Sequence, residues 1–371
     1  MFKKSNSFQK IYFIQLIVLI FTLQYTFTDN LNTSFNLILI EIIVALALTA
    51  LYFFKYIHQV NKEDILTIII TSIFFVISYK YRENTMAYCA IFSILFMFIN
   101  RQYMIYIYGI SQFIVFFLNS LLAFMGIREL YGYKSVIFGF GEKNAAGYYL
   151  FTVSLIIFKL LKKKNKIYNL LFLIMVFLIE FFVINDRTIA FLMVIFYLLY
   201  VFNIYPKNII TKVFTSLLPI FLTLLSLFLI KHYGQYNWIN EVNNLLSNRI
   251  ELWNYFWQYY KPQIFPQSAN LFSTNNLINL LPFDGVYASG LIRLGYILYL
   301  FIMLLQMYAI YHSSNLNNKQ DDNFLFCVLI CLSLYGFTEA NAFNGVACFL
   351  VPYLISIFSY RDYKNNILER K

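Results

Sequence analysis

KKKNKIYNLLFLIMVFLIEFFVINDR, residues 162–187, is the stretch whose reading decides the fold. Four lysines around Asn165 lead into an 18-residue run, Ile167–Ile184, that breaks its apolar character only at Tyr168, Asn169 and Glu180, and the run stops at Asn185-Asp186-Arg187. Crossing a hydrocarbon core takes about 17–25 apolar residues as a helix, whereas a barrel strand would alternate polar and apolar residues over about ten. Within lipid every backbone N–H and C=O must be paired inside the segment, so a continuous apolar run of this length predicts a transmembrane helix.

The same pattern recurs along the chain. Composition agrees: 61% of the residues are hydrophobic, 21% aromatic and only 12% charged, against about half apolar and a quarter charged in soluble domains. Spans are predicted at 11–27, 36–57, 65–79, 86–100, 103–125, 144–161, 167–184, 188–205, 211–230, 287–310, 323–340 and 343–360. Residues 11–27 read as a first span, not a cleavable leader, because no small-residue cleavage site follows them. The expected fold is all-α: a polytopic transmembrane helical bundle of about 12 spans, one integral membrane domain over residues 1–371.

Charge orients this bundle. With the N-terminus inside, about 18 Lys and Arg fall on the cytoplasmic side and about 9 outside, with Arg293 inside a span. Both termini are then cytoplasmic, and the net charge of +11 is mostly a topology signal. It does not form a basic patch on a soluble face, so no nucleic-acid partner is expected. Cys89, Cys327, Cys331 and Cys348 all lie in predicted spans, and His58, His232 and His312 are scattered, so packing accounts for the cysteines and no metal site is expected. There is no Walker motif, dinucleotide fingerprint or internal repeat, and no cofactor is expected.

Residues 231–286 form the one long connection, a large extracellular loop between the ninth and tenth spans. Long connections without regular structure bind or gate something. This one mixes Asn, Trp, Tyr and a few charges, a combination that grips sugars by ring stacking and amide hydrogen bonds. Its middle, Asn243–Tyr260, carries an apolar stripe of Ile250, Trp253, Phe256 and Trp257 and fits equally an amphipathic helix at the interface. Ionisable groups near the spans (Glu41, Glu180, Arg187, Arg293 and Glu339) all fall toward the outer side, which points to a hydrated cavity opening outward. Helix–helix ion pairs or snorkelling account for Glu41 and Glu180; function is favoured for Arg187 and Arg293.

Five segments, taken in order, resemble the Wzy-type repeat-unit polymerases of bacterial capsular and exopolysaccharides, within the O-antigen polymerase and ligase group. Phe138-Gly139-Phe140-Gly141-Glu142-Lys143-Asn144-Ala145-Ala146-Gly147 is similar to that family's glycine-and-asparagine turn before a span. Asn185-Asp186-Arg187-Thr188 resembles its Ser-Arg turn, with Asp where Ser is commoner. Leu246-Ser247-Asn248-Arg249 through Trp253 resembles its Leu-Ser-x-Arg element in the large loop. Phe283-Asp284-Gly285-Val286-Tyr287 through Gly295, and Gly336-Phe337-Thr338-Glu339-Ala340-Asn341 with Asn344, are similar to its later elements. The ligase branch carries a His ahead of the tenth span where this chain has Asp284, which favours polymerase.

The resemblance implies metal-free transfer of a glycan from undecaprenyl diphosphate to the non-reducing sugar of another lipid-linked unit, at the outer face of the bacterial cytoplasmic membrane. On that reading Arg187 and Arg249 bind the diphosphate with Arg293 as auxiliary, since guanidinium groups chelate phosphate oxygens and stay charged. Asp284 or Glu339 is the general base, and Lys143, Asn144, Tyr287, Asn341, Asn344 and Trp253 bind substrate. Implied partners are undecaprenyl-diphosphate-linked oligosaccharides, membrane lipids, and flippase and chain-length regulator proteins. A glycan ligase of the same superfamily, a lipid-linked oligosaccharide flippase and a non-enzymatic receptor or scaffold are the alternatives; the long loop and outward bias of charge argue against the flippase, and arginines on several separate outer elements against the scaffold.

Overall fold

The computed structural model of the protein describes residues 2–28, 47–81, 84–99, 102–132, 135–161, 165–267, 284–315, 322–345 and 347–359. Glu41, Lys162–Lys164, Asn270, Asn275, Asn276, Pro282 and the tail beyond Ser359 lie outside them. The described residues are helical almost throughout, with one two-residue β-pair in which Tyr131 faces Val136. Among the described residues four helices are long and apolar enough to cross a membrane: Tyr103–Phe124, Lys143–Leu161, Lys166–Ile184 and Val286–Ser314. The pair Ile209–Ser216 and Leu218–Lys231, bent by 42°, passes the same test when taken together, as a broken span or a re-entrant loop. Shorter apolar helices lie at Lys10–Leu23, Asp64–Ser78, Met86–Phe96, Arg187–Val201 and Asn323–Thr338.

Large apolar side chains stand outward on the long helices, among them Ile174, Met175, Phe182, Leu300 and Leu304. Such a surface suits hydrocarbon and not water, because in lipid an apolar exterior carries no hydration penalty. Two compact units make up the chain: residues 1–73, 88–197 and 345–371 form the first, residues 74–87 and 198–344 the second.

In the first unit the helices Phe2–Thr28, Gln102–Phe124 and Lys143–Leu161 pack in series. Small polar groups stitch them together. Gln15 donates to Ser111 Oγ at 2.6 Å and to the Ile107 carbonyl at 3.0 Å, and Thr152 donates to Gln112 Oε1. Hydrogen bonds of this kind between apolar helices contribute about 0.6 kcal/mol each. Residues 343–360, expected to be a continuous twelfth span, depart from that expectation: only Leu350–Ile355 is α-helical, followed by a 3-10 turn at Ser356–Phe358. The reason is burial in protein, where irregular backbone finds side-chain partners. Tyr108 donates to the Gly345 carbonyl, and Gln112 donates to the Ala347 carbonyl at 2.6 Å.

The second unit holds the bent pair Ile209–Ser216 and Leu218–Lys231, the helix Val286–Asn315 and the helix Asp322–Thr338. Gln306 joins the last two, donating to Ser333 Oγ at 2.7 Å. The connection expected to be a loop is largely helical where described: Asn237–Leu245 and Arg249–Tyr259 fold back onto the bundle. Ile239, Ile250 and Trp253 close a core with Leu229, Ile230 and Ala288. The apolar stripe read from the sequence is therefore spent on protein, with Ile250, Trp253 and Phe256 all buried.

Helix Val286–Asn315 is broken at Gly295, whose φ of 70° and ψ of 169° lie outside the helical region. The freed backbone groups are taken up by the irregular segment that follows Tyr260. Tyr296 N–H donates to the Gln263 carbonyl at 2.9 Å, Ile297 N–H to that of Ile264 at 3.3 Å, and Gln267 N–H to that of Arg293 at 3.0 Å. The approach is close enough that a Cβ on Gly295 would stand 2.5 Å from the Phe265 carbonyl. A broken span is tolerated where neighbouring protein pairs the freed groups in this way.

Candidate functional site

Within the second unit three separate segments meet at Arg249. Asn243 shapes the turn before it, accepting from Glu251 N–H at 3.1 Å and donating to Asn248 Oδ1 at 3.3 Å. Ser247 and Asn248 both take left-handed backbone angles, and the helix starts afresh with Arg249 as its first residue. Asn tolerates that conformation better than most residues, which suits the Leu-Ser-Asn-Arg order.

Arg249 reaches the end of helix Asp322–Thr338, donating from Nη1 to the Thr338 carbonyl and from Nη2 to Glu339 Oε1 at 2.5 Å. The second nitrogen also lies 3.8 Å from Asp284 Oδ2. The three side chains differ in access: 3% of Glu339, 13% of Arg249 and 22% of Asp284 is exposed. Asp284 is held from behind, because Trp253 Nε1–H donates to its carbonyl at 2.8 Å and Trp257 Nε1–H donates to Ala288 at 3.0 Å. Glu251 is engaged elsewhere: it accepts a hydrogen bond from Tyr233, whose proton affinity is raised by burial and by this carboxylate.

A small open cleft runs along the short half-helix that begins at Val286. Arg293, Asn344 and Ser289 give it polar groups, and Met86, Val286, Leu294 and Phe343 its apolar walls. Val286 follows Asp284 by two positions, and the lining residue Ala340 follows Glu339 directly. Cleft and ion cluster are thus neighbours. Arg293 is the charged residue of the cleft lining, and Arg249, Asp284 and Glu339 adjoin it through these chain neighbours.

The first unit brings together the other two segments singled out in the sequence. Lys143 opens helix Lys143–Leu161 and donates to the Asn185 carbonyl at 3.3 Å. Asp186 caps the next helix, accepting from Ile189 N–H at 3.1 Å, and Arg187 is exposed on its first turn. Asn144, beside Lys143, is half-buried. Glu180, expected to be an ion-paired or snorkelling group, is instead fully buried on a π-helical turn, Ile179–Ile184, and neither of its oxygens has a hydrogen-bond partner among the described residues. The wider π turn rotates it inward, against Gly147, where a methyl group would stand 2.8 Å from Asp186 Oδ2 and 2.9 Å from Glu180 Oε2.

So Arg249, Asp284 and Glu339 gather at one point, with Arg293 and Asn344 lining the cleft beside it and Asn341 half-buried on the turn between. Arg187, Lys143 and Asn144 belong to the first unit. Tyr287 and Trp253, expected to bind substrate, are fully buried. Tyr287 accepts from Gln306 at 3.3 Å, and Trp253 positions Asp284. Their rings complete the packing around the site without facing its cleft, since an aromatic ring buried among helices contributes more by area than one left at a surface.

Sequence reasoning passed over Ser289 and Gln267. It also missed Arg128, which donates to Asn119 Oδ1 at 2.5 Å and to the Gly139 carbonyl at 3.0 Å in the first unit. Burial lowers its proton affinity, and these acceptors favour the cation. The signal available was a lone Arg just after a long apolar run. The four cysteines are buried and in no disulfide, and among the described residues no three His, Cys, Asp or Glu side chains are placed to hold a metal ion. No family model, curated protein or solved structure matches the chain.

Proposed function

We propose that this chain is a membrane glycosyltransferase that polymerises undecaprenyl-diphosphate-linked oligosaccharide repeat units. It works at the outer face of a bacterial cytoplasmic membrane, as a bundle of about 12 spans with both termini inside. The observation that carries the reading is the meeting of Arg249, Glu339 and Asp284 beside a cleft holding Arg293 and Asn344. Those residues come from the three later segments that resemble the polymerases. A phosphate-seeking pair of guanidinium groups next to a partly exposed carboxylate and an apolar wall suits a lipid diphosphate donor.

In the reaction an acceptor hydroxyl oxygen bonds to the anomeric carbon of the donor sugar. The bond from that carbon to the diphosphate oxygen breaks, undecaprenyl diphosphate leaves with the electron pair, and the hydroxyl proton passes to a base. Asp284 is the better base of the two candidates. Its side chain is the more exposed and stands 3.8 Å from Arg249, whereas Glu339 is tied to that arginine at 2.5 Å. Arg249 and Arg293 take the negative charge that builds on the leaving diphosphate.

The test is Asp284→Asn in cells that make the polymer. Loss of a positioned base slows transfer by about 10²–10⁴-fold, so single lipid-linked repeats accumulate and the ladder of longer chains disappears. A normal ladder from this variant overturns the reading.

A further inference from the structure

Arg249 has a double commitment that the proposed reaction cannot leave in place. Both of its terminal nitrogens are engaged, one by the Thr338 carbonyl and the other by Glu339 at 2.5 Å with Asp284 further off. Two carboxylates face this one guanidinium, so the cluster by itself carries an excess negative charge toward an anionic donor. Yet the guanidinium is placed to change partners. It sits on the first residue of helix Arg249–Tyr259, just after two left-handed residues, while Trp253 and Trp257 pin the rest of that helix to the Asp284 and Ala288 carbonyls. The side chain can swing without moving its helix.

We propose that Glu339 is an internal competitor for Arg249: in the free protein it occupies the guanidinium, and the diphosphate of the donor displaces it. This rests on the polymerase reading and adds to it a mechanism of substrate admission. A diphosphate is the stronger claimant, because it offers several oxygens in the bidentate geometry a guanidinium prefers and carries more charge than a carboxylate. The exchange also releases Asp284 from the field of Arg249 at the moment a donor is present, so the base is unmasked by the substrate it serves. Glu339 is the lock and Arg249 the moving part. Because Glu339 is the most buried member of the cluster, the side chain that yields is the guanidinium, turning toward the cleft where Arg293 and Asn344 supply further donors.

Inorganic diphosphate, added to the full-length protein in lipid nanodiscs, tests this directly. The chain has three tryptophans, and two of them lie on the Arg249 helix; in a Trp238→Phe background their fluorescence reports the exchange. Glu339→Gln removes the competitor and should tighten diphosphate binding by about tenfold or more, with Glu339→Asp falling between it and the parent. Arg249→Lys should weaken binding by a comparable factor. Equal or weaker binding by both Glu339 variants, each shown by its melting curve to be folded, overturns the lock, as does equal binding by Arg249→Lys. A failure of the polymerase reading looks different: it is a normal polymer ladder from Asp284→Asn, whatever the binding titrations return.

Discussion

Trp253 shows how far the role of a residue depends on what its polar atom meets. From the sequence it is a ring in a polar loop, a natural platform for a sugar; in the fold its indole N–H holds the Asp284 carbonyl at 2.8 Å and its ring is buried. Trp253→Phe keeps most of the packing and removes that donor. Leaving a buried carbonyl unsatisfied costs about 1–3 kcal/mol, so the melting temperature should fall modestly. On the proposed reaction, glycan transfer should fall by more than the stability loss alone accounts for, because Asp284 loses its support; transfer measured on folded protein checks this, and an unchanged rate contradicts the positioning role. Glu180 makes the complementary point. Its one-dimensional context, a lone carboxylate near the end of an apolar run, reads as an ion pair or a snorkelling group, and nothing local announces the π turn that carries it inward against Gly147.

Among the elements, the informative one is the helix broken at Gly295. Apolar composition identified residues 287–310 as a span, and the helix Val286–Asn315 covers them. The break was not legible, since a single glycine inside an apolar run is also compatible with an unbroken helix. What decides it is the irregular segment 260–267, about 30 positions away in the sequence, whose carbonyls and N–H groups replace the lost helical bonds. Gly295→Ala should destabilise the protein by at least about 2 kcal/mol, combining a positive φ with a collision against the Phe265 backbone. Gly234→Ala is the matched control. That glycine also has a positive φ but open space around it, so only the conformational cost of about 1 kcal/mol applies. Equal losses from the two substitutions, read from melting in nanodiscs, contradict the close packing of Phe265 against Gly295. The same physics explains residues 343–360: a buried irregular segment and a membrane helix have the same hydrophobic composition, and only partners such as Tyr108 and Gln112 distinguish them.

At the scale of the molecule, topology is open to direct measurement. All four native cysteines are buried, so single cysteines placed at exposed positions label against a low background. Introduced at Arg187 and at Lys166, which bracket the Lys166–Ile184 span, they should react with a membrane-impermeant maleimide from opposite faces: Arg187→Cys in intact cells, Lys166→Cys only after lysis. The same side for both contradicts the orientation drawn from the lysine cluster at 162–166. Composition and run length were enough to determine an all-α chain with several helices fit for a bilayer, because the demand that lipid makes on a backbone is local and each segment meets it alone. The order of the charged motifs also named the residues worth watching. The tertiary structure alone decided which of them meet. Arg249 and Glu339 are 90 positions apart, and an ion pair across that separation depends on how helices pack, which no local pattern records. It likewise gave Asp284 and Glu339 different exposures and different distances from Arg249, since both belong to the fold and not to the residue type.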